Sequence, residues 1–187
     1  MKKLMVAVAL MITSAAAFAQ HAVGSFNIQP KVGLNVANLS KLKIDSRLGL
    51  AAGLEGEYQV SDLFSISAGA LYSMQGAKSG STTYKLDYIN VPIMANVYVV
   101  KGLAVKLGVQ PGFKVSEKLS NKTIGDFNNP LGTTNSFDLS IPVGVSYEYA
   151  NVQLDARYNL GVTNVFKGIS DVKNSVFQIT LGYKFDL

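Results

Sequence analysis

From residue 175 to the C-terminus, Phe177, Ile179, Leu181, Tyr183, Phe185 and Leu187 alternate with Gln178, Thr180, Gly182, Lys184 and Asp186. A strand presents successive side chains to opposite faces, so this stretch has one apolar face and one polar face. Seven earlier segments repeat the pattern, at 26–36, 47–60, 63–75, 83–99, 103–116, 137–149 and 152–160. In the first, Phe26, Ile28, Val32 and Leu34 oppose Asn27, Gln29, Lys31 and Asn35. In the sixth, Phe137, Leu139, Ile141, Val143, Val145, Tyr147 and Tyr149 oppose Asp138, Ser140, Ser146 and Glu148. Read this way, no charged residue falls on the apolar phase of any segment.

The fourth segment is less regular. Tyr84, Leu86 and Tyr88 share one phase, whereas Ile89, Val91, Ile93 and Val97 share the other. One inserted residue flips the side-chain order, so this slip predicts a β-bulge between Tyr88 and Pro92. Proline cannot donate to a ladder, which suits Pro92 to such a site.

Connections alternate between short and long. Ser61-Asp62, 100–102 and the neighbourhood of Ala150 are of hairpin length. The stretches 37–46, 76–82, 117–134 and 163–173 are longer and rich in Ser, Asn, Lys, Thr and Gly. That alternation predicts an up-and-down order of antiparallel strands with its loops gathered at one end.

Eight such strands fit a soluble sandwich, a soluble barrel around an apolar ligand, or a barrel with its apolar face outward. Segment length favours the last. Ten or more residues at ~3.3 Å each and a ~40° tilt give a height of roughly 25 Å, that of a bilayer core. Aromatic placement agrees. Phe26, Tyr58, Phe64, Tyr147, Tyr149 and Phe185 fall near the short turns, and Tyr72, Tyr84, Phe113, Phe137 and Phe177 near the long loops. Leu, Ile, Val and Ala lie between, as expected of two interface belts around an aliphatic band.

The polar phase carries Lys31, Arg47, Glu55, Glu57, Lys106, Lys114, Asp138, Glu148, Asp155, Arg157 and Lys184, with glycines among them. Glycine weakens a solvated strand but makes room in a narrow lumen. The expected architecture is therefore all-β: an eight-stranded antiparallel up-and-down transmembrane β-barrel with a largely plugged polar lumen. Backbone groups in lipid need partners, so the last strand should close on the first.

Met1-Lys2-Lys3, the apolar run at 4–12 and Ala17-Phe18-Ala19 form the pattern of a cleaved signal peptide. This predicts a leader at 1–19 and a barrel domain at 20–187. The formal charge of +5 falls to about +3 without Lys2 and Lys3, a mild and scattered balance that gives no reason to expect nucleic acid. There is no cysteine, hence no disulfide, thiol nucleophile or soft metal ligand. The only histidine, His21, precedes the first strand and reads as part of a mobile terminus unsuited to catalysis. No catalytic residue, cofactor or metal site is expected.

Pro30-Lys31-Val32-Gly33-Leu34-Asn35, Leu86-Asp87-Tyr88-Ile89-Asn90-Val91-Pro92 and Leu181-Gly182-Tyr183-Lys184-Phe185 occur in that order. With these motifs the chain resembles the small porin-like outer-membrane β-barrel domain family. The resemblance implies an outer-membrane location in a Gram-negative envelope, contact with its lipid, and a C-terminal strand read by the barrel-insertion machinery. Either Phe185 or Leu187 would serve as the terminal residue of that signal. A monomer with a structural, adhesive or surface-recognition role is expected. The alternatives are a narrow diffusion pore for small solutes and a soluble exported barrel binding an apolar ligand.

Overall fold

The computed structural model describes residues 21–40, 45–80, 82–121, 125–128, 134–166 and 172–187. The expected leader at 1–19 lies outside the described residues. The strands are β1 (Phe26–Leu39), β2 (Asp45–Ser61), β3 (Phe64–Ser79), β4 (Thr82–Asn90), β5 (Ile93–Val100) and β6 (Leu103–Asn121). They continue with β7 (Gly125–Asn128), β8 (Phe137–Tyr149), β9 (Val152–Gly161), β10 (Asn174–Tyr183) and β11 (Phe185–Asp186). All pairings are antiparallel, and β10 and β11 pair with β1 to close the ring.

Two interruptions, and the short β7 that pairs only with β6, hide the count of eight staves. β4 and β5 form one stave, because both keep the same register against β3, from Leu71↔Asn90 to Phe64↔Val97. The ladder lapses only at Val91-Pro92, where Pro92 has no N–H to give. The closing stave behaves alike: Lys31↔Gly182 and Ile28↔Phe185 belong to one register. It lapses beside Pro30, while on the other side the Lys184 N–H continues the pairing with β9 by donating to the Asn151 carbonyl at 2.8 Å.

Burial decides which way the faces point. Val32, Leu34, Leu50, Leu107, Leu154 and Leu181 are each at least half exposed, whereas Lys31, Glu55, Lys106, Asp155 and Arg157 are buried. The polar phase fills the interior and the apolar phase forms the outer wall. An apolar-lined interior, as a soluble ligand carrier requires, is therefore overturned.

The slip expected between Tyr88 and Pro92 is absent. Leu86, Tyr88, Asn90, Pro92, Met94, Asn96 and Tyr98 are all buried, in one unbroken inward phase. The extra residue lies across the ladder at Val115, since Asp87 pairs with Ser116 and Tyr88 with Lys114. Leu86 and Tyr88 point inward because the loop end of the interior is itself apolar. Leu39, Ala77, Leu86, Tyr88, Val165 and Val172 form a buried cluster there, with Phe166 packed against it. Tyr84 pairs with buried Ala77 and so takes the inward phase, which removes it from the outer aromatic set. Conversely, Lys85 and Asp87 take the outward phase above Ile89, so charge does enter the apolar phase at the loop end. Asp87 accepts a hydrogen bond from the Tyr72 hydroxyl at 2.9 Å.

The loops are also more ordered than their composition suggests. β3 runs to Ser79 and β4 begins at Thr82, so the expected loop at 76–82 is mostly strand. Within 117–134, β6 continues to Asn121 and β7 folds back on it from Lys118↔Asn128 to Asn121↔Gly125. At the other end, Ala150 and Asn151 have φ of 48° and 68°. Two successive positive φ values identify the type I′ hairpin that suits strand twist.

Candidate functional site

The interior holds the chain's concentrated chemistry. Each inward strand position contributes one side chain to a narrow lumen, and eight strands leave little space beyond them. Gly144 and Gly182 show how tight the fit is. A Cβ on Gly144 would sit 2.8 Å from the Arg157 Cβ, and one on Gly182 would sit 2.9 Å from the Lys31 Cγ.

At the centre, three cations share two carboxylates. Lys31 Nζ lies 2.9 Å from Glu55 and 3.5 Å from Asp155. Lys106 Nζ lies 2.7 Å from Asp155 and 3.4 Å from Glu55. Arg157 donates through Nε and Nη2 to Asp155 at 2.8 and 2.7 Å, and through Nη2 to Glu55 at 3.3 Å. These residues come from β1, β2, β6 and β9, so the cluster ties distant staves together across the axis.

A second cluster lies towards the short turns. Lys184 Nζ sits 2.7 Å from Glu148 and 3.1 Å from Glu57, beneath the Tyr98 ring. Glu57 also accepts from Gln29 at 2.9 Å, from Ser65 at 2.7 Å and from the Tyr98 hydroxyl. Glu148 accepts from His21, whose Nε2 is 2.9 Å away, and His21 Nδ1 is 3.0 Å from Asp186. The hydrogen bond to Glu148 raises the His21 pKa above 6.5, with the Glu148 and Asp186 charges adding to it against burial and Lys184. His21 is buried, which corrects its reading as part of a loose terminus.

Three of the expected lumen residues stand apart, nearer the loops. Asp138 accepts from Thr163 at 3.2 Å. Lys114 bonds Glu117 and Thr134, both short in sequence distance from the β6–β8 connection. Arg47 donates to the Gln75 carbonyl and lies 3.5 Å from Asp87. Its position has a backbone cause. The β2–β3 ladder is broken between Ser46 and Ala51, and Asn35 and Arg47 fill the gap. Asn35 Nδ2 donates to the Leu50 carbonyl at 3.3 Å and the Met74 carbonyl at 3.1 Å. Side chains thus supply donors that the missing ladder bonds would have provided.

All eleven charged residues expected in the lumen occupy its inward phase: Lys31, Arg47, Glu55, Glu57, Lys106, Lys114, Asp138, Glu148, Asp155, Arg157 and Lys184. Sequence reasoning missed Tyr98, His21 and the ladder-repairing role of Asn35. Tyr98 was findable, since it shares the phase of Asn90 and Asn96. His21 was not, because nothing local to residues 21–25 signals what they fold against. Among the described residues, no group of three or more His, Cys, Asp or Glu is arranged to hold a metal ion.

On the outer wall, Phe26 pairs with Tyr58, and both are exposed. Phe64 is half-buried on the same phase. Tyr147, Tyr149 and Phe185 are exposed at this end, with Phe185 4.8 Å from Tyr183 between ring centroids. At the loop end Tyr72, Phe113, Phe137 and Phe177 are exposed, and Phe113 meets Phe137 edge-on at 5.8 Å.

A charged, cross-linked interior within an apolar wall is stable only where that wall meets something apolar. Comparisons agree with this geometry. No curated protein matches the sequence. Among solved structures, Neisserial surface protein A is 21% identical, with a TM-score of 0.55 over 86% of this chain and 97% of that one. Ail, the attachment invasion locus protein of Yersinia pestis, is 17% identical, with a TM-score of 0.52 over 88% of this chain and 100% of that one. The family model for the outer membrane protein beta-barrel domain matches residues 18–167. The chain belongs to that outer-membrane family, as an eight-stranded antiparallel transmembrane barrel.

Proposed function

We propose that this protein is a plugged outer-membrane barrel, monomeric, whose work is structural, adhesive or recognitional and is done by its loops. The observation that carries this reading is the central cluster, in which Lys31, Glu55, Asp155 and Arg157 have side chains with no solvent exposure. An ion passing along the axis would have to part these pairs, and breaking a buried pair costs about 3–5 kcal/mol. The apolar cluster around Tyr88 stands as a second obstruction. The two similar structures bear names of surface and attachment proteins, which accords with this role. The β6–β7 ladder gives residues 118–121 and 125–128 an ordered backbone from which to meet a partner.

In this reading, residues 1–19 are removed on export, leaving residues 20–187 in a Gram-negative outer membrane. The two sets of exposed aromatic rings lie at the two interfaces, with the aliphatic band between them in lipid. The insertion machinery reads the closing stave, with Phe185 as its terminal aromatic. Phe185 pairs with Ile28, and Leu187 keeps the same register, its N–H donating to the Phe26 carbonyl at 2.9 Å.

Planar-bilayer recording of the purified barrel, together with labelling of intact cells at a cysteine placed at Lys78, tests the proposal. Silent bilayers and labelling at Lys78 are expected. A stable single-channel conductance that changes in Lys106→Ala would replace this reading with the narrow-pore one. Labelling confined to broken cells would refute the orientation.

A further inference from the structure

We propose that His21 is a proton-operated latch, fastening the N-terminal segment across the mouth of the barrel to β8 and to the closing stave. The geometry favours a particular charge state. Nε2 lies 2.9 Å from a Glu148 oxygen and Nδ1 lies 3.0 Å from an Asp186 oxygen. An ionised carboxylate only accepts, and neutral imidazole has a single N–H. Both contacts are hydrogen bonds at once only when the ring carries two protons, as imidazolium.

The latch spans the mouth because of where its two ends are held. Gly24 N–H donates to the Gln59 carbonyl at 2.8 Å, and Gln59 N–H donates to the Ser25 carbonyl at 3.0 Å. This fixes residues 24–25 beside the end of β2. From there the chain brings His21 past β11 and β9 to Glu148 on β8. The result is an open cleft of about 540 Å³ at this end, lined by His21, Lys101, Glu148, Asp186 and the Tyr147 and Tyr149 rings.

The neighbouring charges act in opposite senses. Glu148 on β8 and Asp186 on β11 favour the imidazolium, while Lys184, 2.7 Å from Glu148, opposes it. Lys101, on the β5–β6 turn, adds a further positive charge to the cleft wall. The carboxylates prevail, in keeping with the raised His21 pKa. A folded-state pKa above the unfolded one means stabilisation that is complete below about 6.5 and lost as pH rises through the folded value. Deprotonation removes the charge that draws His21 to both carboxylates and leaves Glu148 to Lys184, so the barrel itself persists while the N-terminal segment loosens.

The test exploits two features of the chain, its single histidine and its lack of cysteine. In the refolded barrel, ring carbon and nitrogen chemical shifts give the His21 titration directly. A spin label at Val23→Cys, an exposed site, reports motion of the segment. A midpoint above about 6.5 is expected, falling in Asp186→Asn. The label should be immobilised near pH 6 and mobile near pH 9, and mobile at both in His21→Gln. Asp186 is half exposed in its side chain, so Asp186→Asn leaves the lumen intact and carries the test if Glu148→Gln does not fold. A midpoint at or below about 6.5, or label motion that ignores pH in the parent barrel, would overturn the proposal.

Discussion

Arg157 and Asp155 stand two positions apart on β9, on the same inward face, and are joined by two hydrogen bonds of 2.8 and 2.7 Å. This fork sets the guanidinium across the lumen, where its Nη2 also meets Glu55, 102 residues away in sequence. A short-range pair thus positions a long-range one.

Removing the shared carboxylate should be costly. Asp155→Asn leaves Lys31, Lys106 and Arg157 facing Glu55 alone. Breaking a buried pair costs about 3–5 kcal/mol, so urea unfolding of the barrel in vesicles should show a loss of that order. A loss below about 1 kcal/mol would mean that the cluster is open to water and behaves as surface pairs do.

The outer wall should respond to charge by depth. Leu181 lies midway between Phe177 and Phe185 on the closing stave, and half of it is exposed. Leu181→Arg is expected to cost about 2–4 kcal/mol, and Tyr149→Arg, next to a turn, about 0–1 kcal/mol. Equal costs at the two sites would remove the basis for a lipid band between two aromatic levels.

Asn35 should matter through the backbone. Asn35→Ala withdraws the donor from the Leu50 and Met74 carbonyls at the break between β2 and β3. An unsatisfied buried acceptor costs about 1–3 kcal/mol. Hydrogen exchange should quicken along 47–50 and 74–76 before it does elsewhere. Unchanged protection there would show that some other group satisfies these carbonyls.

Gly144 should tolerate no side chain. The Cβ of Gly144→Val would meet the Ala156 carbonyl oxygen at 2.4 Å and the Arg157 Cβ at 2.8 Å. Overpacking of this kind costs about 1–3 kcal/mol. The folded band on an unboiled gel should weaken, and pairing Gly144→Val with Arg157→Ala should not restore it, since the carbonyl clash remains.

Much of the fold was legible because alternation is a local property. Any residue's face follows from its neighbours, so Lys31, Glu55, Lys106 and Asp155 could be assigned together to one side. The reading failed where apolar residues took the polar side. Leu86 and Tyr88 looked like a slip in phase, although they pack inward against Val165 and Val172 from a loop far along the chain. Tyr84 was misplaced by the same reasoning. His21 was misread because its partners, Glu148 and Asp186, lie near the other end of the sequence.

By itself, the sequence determined that strands alternate, where the short turns fall, and that away from the loop end charge and apolar bulk lie on opposite faces. A strand's period of two and the turn preferences of its residues suffice for that. Only the tertiary structure decided which charges meet, that Pro30 and Pro92 interrupt staves without ending them, and that an apolar cluster caps a polar lumen. The reason is physical. Closure brings residues such as Lys31 and Asp155, 124 positions apart, within 3.5 Å, and no local pattern encodes the register and stagger that set such distances.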